Sequence, residues 1–389
     1  MKKGMSEAVI VEAVRTPIGR RGGKLAPVRP DDLLALTLGE VTRRAGLDKA
    51  QVDDVVVGCV TQTGEQGLNI GRAAVLIAGF PIEVPGTTIN RFCGSGQQAV
   101  NFAAQGVLSG AQDVVIGAGV ESMTRVPMGS DALGPGEGPV SSKLTDLYEI
   151  IPQGNSAEMI ARKWGFDRAQ LDEFSVQSHL KAGQAIQEGR FKREIMPVTV
   201  RQNGQSYGVD TDEGVRIPPS REKMAQLKPS FQEDGVVTAG NSSQISDGAA
   251  AVLVMTSEKA EQLGLRPRAR IVAQAIVGSD PTIMLTGPIP ATAKVLRKAG
   301  LRLEDIDLFE VNEAFAPVVL AWQHETGADM EKVNYNGGAI ALGHPLGASG
   351  ARLITTLLHE LERQGARYGL STMCIGYGMG IATIIERLD

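Results

Sequence analysis

The chain of 389 residues has few of the features that mark several protein classes. Its three cysteines cannot form a disulfide framework without leaving one unpaired, which is typical of a reducing compartment. No uninterrupted apolar run approaches the roughly 18 residues of a membrane span. Glu7 and Glu12 interrupt any apolar leader. We therefore expect a cytoplasmic protein with no membrane span.

An excess of positive charge is also missing. Lys and Arg total 39 against 44 Asp and Glu, and the longest basic clusters are pairs such as Arg43-Arg44. Nucleic-acid-binding proteins concentrate positive charge on one face, so nucleic acid is not an expected partner. The paired Cys and His spacings of structural zinc sites are absent too, and we expect no metal.

Glycine, by contrast, is abundant, with 47 residues, and it is clustered rather than scattered. Such clusters mark tight turns and places where the backbone approaches another backbone or a ligand closely. The main clusters are Gly94 with Gly96, Gly343 with Gly347 and Gly350, and Gly376 with Gly378 and Gly380.

An internal repeat divides the chain. Residues 43–47 recur with one substitution at 297–301, and the same shift of 254 positions aligns Ser95-Gly96 with Ser349-Gly350. Residues 115–119 also resemble residues 374–378, which would require a five-residue insertion. The chain therefore resembles two related halves with an unrelated segment between them.

Each half alternates short β-branched runs with stretches of helical periodicity, which predicts an α/β architecture with helices packed on sheets. The expected strands lie near 55–57 and 114–116, and the expected helices over 32–46, 97–108 and 350–363. The intervening segment is rich in glycine and proline, with helices expected near 155–164 and 168–188. We interpret it as a cap that recognises substrate.

Cys93 lies between an expected extended segment and an expected helix, beside Gly94. The positive end of a helix dipole favours thiolate, so this position predicts a nucleophile with a lowered pKa. The alternative is a small buried hydrophobic residue.

His344 precedes Pro345, which holds the histidine backbone in an extended conformation between glycine turns. This rigid placement predicts a general base, with a structural histidine as the alternative. We expect His179 and His359, in polar helical stretches, to be solvated or capping residues.

Cys374 follows an expected strand at 369–373 and enters the glycine run that includes Gly376. The run lacks the spacing of a dinucleotide fingerprint, and too little chain follows it for a βαβ unit. Exposed backbone N–H groups of an oxyanion site are the better interpretation. Cys59, at the end of an apolar strand, is expected to serve packing.

Asn312 ends an expected strand, where its amide could orient a water or a carbonyl; the alternative is a helix N-cap. A papain-like protease is excluded, because the chain order Cys93, Asn312, His344 differs from the order of that family and its cysteine signature is absent.

The sequence blocks around these residues resemble the catalytic blocks of the thiolases, in order and spacing, over essentially the whole chain. They are Cys93-Gly94-Ser95-Gly96, Asn312-Glu313-Ala314-Phe315, Gly343-His344-Pro345 and Cys374-Ile375-Gly376. Residues 240–250 are similar to the family's coenzyme A block and residues 11–17 to its first strand. The resemblance implies an α/β fold, a five-layered αβαβα core of two similar halves with an inserted loop domain. The expected boundaries are 1–120 plus 245–266 for the N-terminal half, 121–244 for the loop domain and 267–389 for the C-terminal half.

The resemblance also implies roles for these residues. Cys93 would be the acylated nucleophile and His344 its activating base, while Cys374 would exchange a proton with the acetyl carbon. The N–H groups of Cys93 and Gly376 would form one oxyanion site, and His344 with a water on Asn312 the other. Coenzyme A would be a co-substrate, with no tightly bound cofactor. Its expected contacts are Arg216 at the adenine, Ser243 at the pantetheine, and Phe231 and Phe315 as apolar walls.

One departure concerns the acyl pocket. Short-chain acetoacetyl-type thiolases often carry a His-Met pair where Pro152-Gln153 precedes Gly154. The missing methionine favours the degradative branch, a 3-ketoacyl-CoA thiolase that forms a homodimer or homotetramer. An acetoacetyl-CoA thiolase, a ketoacyl synthase of the same fold and a non-catalytic acyl-CoA carrier are the alternatives.

Overall fold

Two sets of alternating strands and helices make up the described chain, residues 7–388 of a computed structural model. The first half contains β1 (Ala8–Arg15), β2 (Gly19–Arg20), α1 (Pro30–Ala45), β3 (Asp54–Gly58), α2 (Ile70–Ile77), β4 (Thr87–Ile89), α3 (Ser95–Leu108) and β5 (Val114–Ser122). The inserted segment contains α4 (Ser142–Thr145), α5 (Gln153–Trp164), α6 (Arg168–Gln187), β6 (Val198–Gln202), β7 (Gln205–Val209) and α7 (Arg221–Ala225).

The chain then returns to the first half and completes the second. The returning elements are β8 (Ser246–Thr256) and α8 (Ser257–Gln262). The second half contains β9 (Ala269–Gly278), α9 (Pro288–Ala299), β10 (Leu308–Val311), α10 (Ala316–Thr326), α11 (Ala339–Leu342), α12 (Leu346–Gln364), β11 (Tyr368–Ile375) and β12 (Met379–Arg387). Within residues 7–388, none of the helices has both the length and the apolar character that crossing a membrane requires.

The strands of the two halves follow the same order. The first half runs β4-β3-β5-β8-β1 and the second β10-β11-β12-β9. The pairs towards the outer edges, β3 with β5 and β10 with β11, are parallel, and the next pairs inward, β5 with β8 and β11 with β12, are antiparallel. A short antiparallel contact between β1 and β9 joins the two sheets.

Alternation along the strands produces five layers, because successive side chains point to opposite faces of a sheet. Val55 and Val57 pack with α1 and α2 on the outer face, whereas Val56 faces a shared core with α3 and α12. In the second half, Leu308 faces that same central core and Phe309 packs against the outer helices α9 and α10. The predicted αβαβα core of two similar halves is confirmed.

The repeat holds in the structure with one correction. Helices α1 and α9 both begin with proline and both end at a left-handed glycine, Gly46 or Gly300. Asp54 pairs with Val115 and Leu308 with Gly369, so the shift of 254 residues continues through β5 and β11. The predicted five-residue insertion is therefore wrong. The glycines of residues 115–119 lie within a strand, whereas those of 376–378 form the turn after one.

The central helices α3 and α12 meet at their N-terminal ends through glycine. A Cβ atom on Gly96 would lie 2.6 Å from the carbonyl oxygen of Gly347, and one on Gly350 would collide with the backbone of Gln97. The glycine clusters thus allow two backbones to touch. Because Cys93 lies just before α3 and His344 just before α12, this crossing brings both residues to one end of the central layer.

Candidate active site

The Cys93 loop is a tight turn between β4 and α3. Phe92 has φ +45°, the left-handed conformation that is rare for bulky residues and recurs at functional sites. The turn is fixed by Gly94 N, which donates to Arg91 O over 3.0 Å, and by Ser95 Oγ, which donates to Phe92 O over 2.6 Å. It places Cys93 at the start of α3 with 5% of its surface exposed. The predicted strand-turn-helix setting of Cys93 is what the structure contains.

His344 is held by an unusual backbone and by a neighbouring hydroxyl. Gly343 has φ +113°, and His344 N donates to Gln244 O over 3.1 Å. Ser349 Oγ lies 2.6 Å from His344 Nδ1 and donates its own hydrogen to Pro345 O at 2.8 Å. Since a hydroxyl has a single hydrogen, Nδ1 must carry the imidazole proton. The lone pair is therefore on Nε2, where a base needs it.

Asn312 lies directly against that nitrogen. It follows β10, its backbone N donates to Thr372 O over 3.0 Å, and its Nδ2 is 3.4 Å from His344 Nε2. Its Oδ1 is buried and has no hydrogen-bond partner within residues 7–388. The residue preceding α10 is Phe315, so Asn312 is not the N-cap.

Cys374 and Gly376 come from the neighbouring strand β11 and the turn after it. The parallel pairing of β10 with β11 places them beside Asn312. The ring centroids of Phe92 and Tyr377 are 5.3 Å apart, and a Cβ on Gly94 would lie 2.5 Å from Ile375 Cδ1. The turns of the two cysteines therefore touch. The structure brings Cys93, His344, Asn312, Cys374 and Gly376 to one place.

Burial controls the electrostatics of this place. Desolvation raises the pKa of the Cys93 thiol to about 12, with a smaller contribution from Glu121. The predicted lowering of this pKa is therefore wrong, because removal from water outweighs the backbone hydrogen bond that favours the thiolate. Desolvation also lowers the pKa of His344 to about 3, and the nearby Arg352 adds to the effect. The resting pair is a neutral thiol and a neutral imidazole.

The second thiol is also neutral. Burial raises the pKa of Cys374 above its ordinary value, and the neighbouring Cys93 raises it further. A thiol with a raised pKa keeps its proton at rest and can donate it to a strong base such as a carbanion. Cys374 is therefore suited to proton exchange with carbon.

Two positioning residues were not found by sequence reasoning. Ser349 is one, and its signal would have been a serine in the first turn of the helix after His344. Glu121 is the other: its buried carboxylate accepts hydrogen bonds from Val60 N (2.9 Å) and Gly347 N (2.8 Å), and so ties β3 to the start of α12. It also accepts from Thr61 N and Gln66 Nε2.

Three of the four expected coenzyme A contacts lie together. The rings of Phe231 and Phe315 meet edge to face at 5.9 Å, and Ser243 N donates to Ala314 O beside them. Phe231 is 39% exposed and packs against Gly154. Arg216 lies apart, on a 360 Å³ cavity beside His179. The structure does not bring Arg216 into contact with the other three.

Pro152 and Gln153, which replace the His-Met pair of short-chain thiolases, lie next to the site. Pro152 precedes α5, and Gln153 begins it. Gln153 Nε2 would lie 3.0 Å from a Cβ on Gly376. Gln153 thus stands between the Phe231 wall and the turn after Cys374, and an amide occupies the position expected to limit the acyl group.

Of the remaining predictions, the one for Cys59 agrees with the structure and those for His179 and His359 do not. Cys59 is fully buried in the first outer core. His179 and His359 are buried rather than solvated or capping, and desolvation lowers the pKa of His359 to about 3. His179 lies among the buried residues of α6, and α12 is buried at every position from Leu346 to Leu361. In the part of the chain that the structure describes, no group of three or more His, Cys, Asp or Glu residues could hold a metal ion.

Comparisons with known proteins agree with this arrangement. Residues 8–258 match the thiolase N-terminal domain and residues 265–387 the thiolase C-terminal domain. A steroid 3-ketoacyl-CoA thiolase of Mycobacterium tuberculosis is 49% identical, covering 99% of this chain and 95% of its own. A 3-ketoacyl-CoA thiolase of Bacillus subtilis is 46% identical, covering 98% of this chain and all of its own. The crystal structure of the Bacillus anthracis acetyl-CoA acetyltransferase matches with a TM-score of 0.91, at 40% identity over 99% of both chains.

Proposed function

The chain belongs to the thiolase family, and from that premise we propose that it is a 3-ketoacyl-CoA thiolase. It would cleave a 3-oxoacyl-CoA with coenzyme A into acetyl-CoA and an acyl-CoA shortened by two carbons, and would also catalyse the reverse condensation. The observation that carries the proposal is the convergence of Cys93, Cys374 and the Asn312–His344 pair at the N-terminal ends of α3 and α12.

In the first half-reaction, Cys93 Sγ forms a bond to the 3-oxo carbon while His344 Nε2 takes the thiol proton. The bond between C2 and C3 then breaks, and its electron pair goes to C2 of the departing acetyl-CoA. Cys374 supplies the proton for that carbon. The proton on His344 passes to the Cys374 thiolate, which restores both groups and leaves an acyl-cysteine on Cys93.

In the second half-reaction, the thiol of coenzyme A attacks the acyl-cysteine and His344 accepts its proton. The Cys93 thiolate leaves and recovers that proton, so atoms and charges balance over the cycle. Since the resting Cys93 is a neutral thiol, the proton moves as the carbon–sulfur bond forms. A resident thiolate is not needed.

Two oxyanion sites would stabilise the charged intermediates, each donor being worth about a hundred- to thousandfold in rate. The Cys93 and Gly376 N–H groups would form one. The protonated His344 and a water on Asn312 would form the other. The buried, unpartnered Asn312 Oδ1 supports this role, because it leaves an acceptor free for such a water.

Coenzyme A would be a co-substrate, and we propose no tightly bound cofactor. The inserted segment 121–244 would form the loop domain that recognises it, between the core halves 1–120 plus 245–266 and 267–389. Phe231, Phe315 and Ser243 would line the pantetheine arm, and contact between Phe231 and Phe315 supports an apolar wall there. Arg216 would lie at the adenine end, in keeping with its separation from the other three and its exposed side chain.

We also propose a homodimer or homotetramer in the cytoplasm. Strand β4 is the outer strand of its sheet and pairs only with β3 among the described strands. Leu76 and Ile77, on the helix beside it, are exposed apolar residues, as at a subunit interface. The three free cysteines support a reducing location.

The experiment that tests the function is thiolysis of a ladder of 3-oxoacyl-CoA chain lengths by the wild-type protein and two cysteine variants. We expect turnover beyond the four-carbon substrate, none in Cys93→Ala, and retained turnover in the matched control Cys59→Ala. Full activity of Cys93→Ala would contradict the mechanism. Turnover confined to acetoacetyl-CoA would contradict the degradative assignment.

A further inference from the structure

Two adjoining cavities lie at the junction of the two core halves and the inserted segment. Their volumes are 500 and 450 Å³, and they share Glu12, Arg44, Arg193 and Arg268 as lining residues. These residues come from β1, from the end of α1, from the short helical turn Arg190–Arg193 and from the residue before β9. The junction is thus built from all three parts of the chain.

The lining of these cavities is strongly basic. Seven cations face two carboxylates there, in a chain whose net charge is −5. A third carboxylate, Glu40, pairs with two of the cations from outside the lining. The seven cations are Arg43, Arg44, Lys192, Arg193, Arg266, Arg268 and Arg387, and the two carboxylates are Glu12 and Glu362.

Two of the arginines are fixed in place. Arg268 donates to Glu362 through Nε at 2.7 Å, bonds Glu12 through Nη1, and contacts the buried imidazole of His359 through Nη2. Arg44 donates from Nε to Glu40 at 2.7 Å and from Nη1 and Nη2 to the carbonyl oxygens of Arg193 and Ile195. These hydrogen bonds fix both guanidinium groups at the junction, where they maintain a positive potential.

Other cations leave donors for a ligand. The side chains of Lys192 and Arg266 are exposed and make no hydrogen bond or ion pair with residues 7–388. Arg193 contacts Glu362 through Nη2 at 3.1 Å, leaving its other nitrogens unused. Around the smaller cavity, Glu40, Glu12 and Glu362 pair with four of the five cations, and Lys192 is left without a carboxylate partner.

We propose that this junction binds a small phosphate-bearing anion, with Lys192, Arg193 and Arg266 donating to its oxygens. Guanidinium and ammonium donors suit phosphate, which accepts several charge-assisted hydrogen bonds at once. The basic residues line two adjoining open clefts rather than forming an extended stripe, which suits a small anion and not a nucleic acid. Because the donors come from the inserted segment and the core, the bound anion would fasten one to the other.

The test measures the melting temperature of the full-length protein during titration with inorganic pyrophosphate at constant ionic strength, with chloride as the reference. A parallel titration uses fructose 1,6-bisphosphate, an organic molecule that carries two separate phosphate monoesters. We expect a saturable rise with at least one of them, and the tighter binder identifies the source. No rise beyond that in chloride would overturn the proposal.

Variants locate the binding. The double variant Lys192→Ala/Arg193→Ala should raise the apparent Kd for the anion by about tenfold or more, because it loses charge-assisted contacts. Arg266→Ala, which removes no ion pair, should weaken it as well. The matched control is Arg201→Ala on the exposed hairpin of β6 and β7, which should bind like the wild type. Wild-type affinity in the double variant, or equal weakening in Arg201→Ala, would contradict the assignment.

Discussion

The tautomer of His344 gives the sharpest prediction, because it depends on one hydroxyl. Ser349 Oγ accepts a hydrogen bond from His344 Nδ1 and donates its own hydrogen to Pro345 O. The imidazole lone pair is therefore on Nε2. In Ser349→Ala the buried Nδ1–H loses its acceptor, and an unsatisfied buried donor costs about 1–3 kcal/mol. That cost falls on the productive tautomer alone, so its population, and kcat for thiolysis, should fall about 5- to 150-fold.

The assay is steady-state thiolysis of 3-oxoacyl-CoA with KM and kcat determined separately. KM should change little, since Ser349 does not contact the apolar wall residues. The matched control is Thr355→Ala, which removes a buried hydroxyl bonded to Ala351 O on the same helix, away from His344. If Ser349→Ala keeps kcat within about twofold of Thr355→Ala, the tautomer argument is wrong.

Three further predictions concern stability. Glu121→Gln replaces one carboxylate oxygen with an NH₂ group, which leaves two N–H donors without an acceptor. At about 1–3 kcal/mol per unsatisfied donor, the free energy of unfolding in urea should fall by about 2–6 kcal/mol. An unchanged urea midpoint would contradict this. In the folded protein the pKa of His359 is about 3, below its ordinary value. The stability that neutral His359 contributes is therefore fully present above about pH 6.5 and is lost as the pH falls. The stability difference between wild type and His359→Gln should therefore shrink by about 1.4 kcal/mol per pH unit below that point, and a constant difference from pH 7 to 5 would refute it. Gly350→Ala should prevent folding because its Cβ meets Gln97, whereas Gly39→Ala, in open space within α1, should add about 0.5–1 kcal/mol; circular dichroism and melting curves separate the two.

Local patterns predicted most of the architecture. Helical periodicity and glycine signals located α1, α3 and α12 to within a few residues, and the β-branched runs located β3 and β5. The misplaced insertion shows the limit of this approach. Glycine spacing is alike in residues 115–119 and 374–378, but only strand pairing shows that one set lies within a strand and the other set in a turn.

The site itself could be predicted as a set of residues but not as an environment. A helix dipole is visible in the sequence, whereas the burial that raises the pKa of Cys93 comes from parts of the chain far apart in sequence. His359 has polar neighbours in its helix, yet its partners are Ala13 and Arg268. Glu121 was missed for the same reason, since its donors lie in the segment after β3 and at the start of α12.

The central claim is that Cys93 is the residue that becomes acylated. The direct measurement is exposure of the wild-type protein to acetyl-CoA, followed by an acid quench and peptide mass spectrometry, with Cys93→Ala and Cys59→Ala treated alongside. The account predicts one acetyl group per chain on the peptide that contains Cys93, present in Cys59→Ala and absent in Cys93→Ala. An unlabelled wild-type chain, or a label that remains in Cys93→Ala, would contradict it.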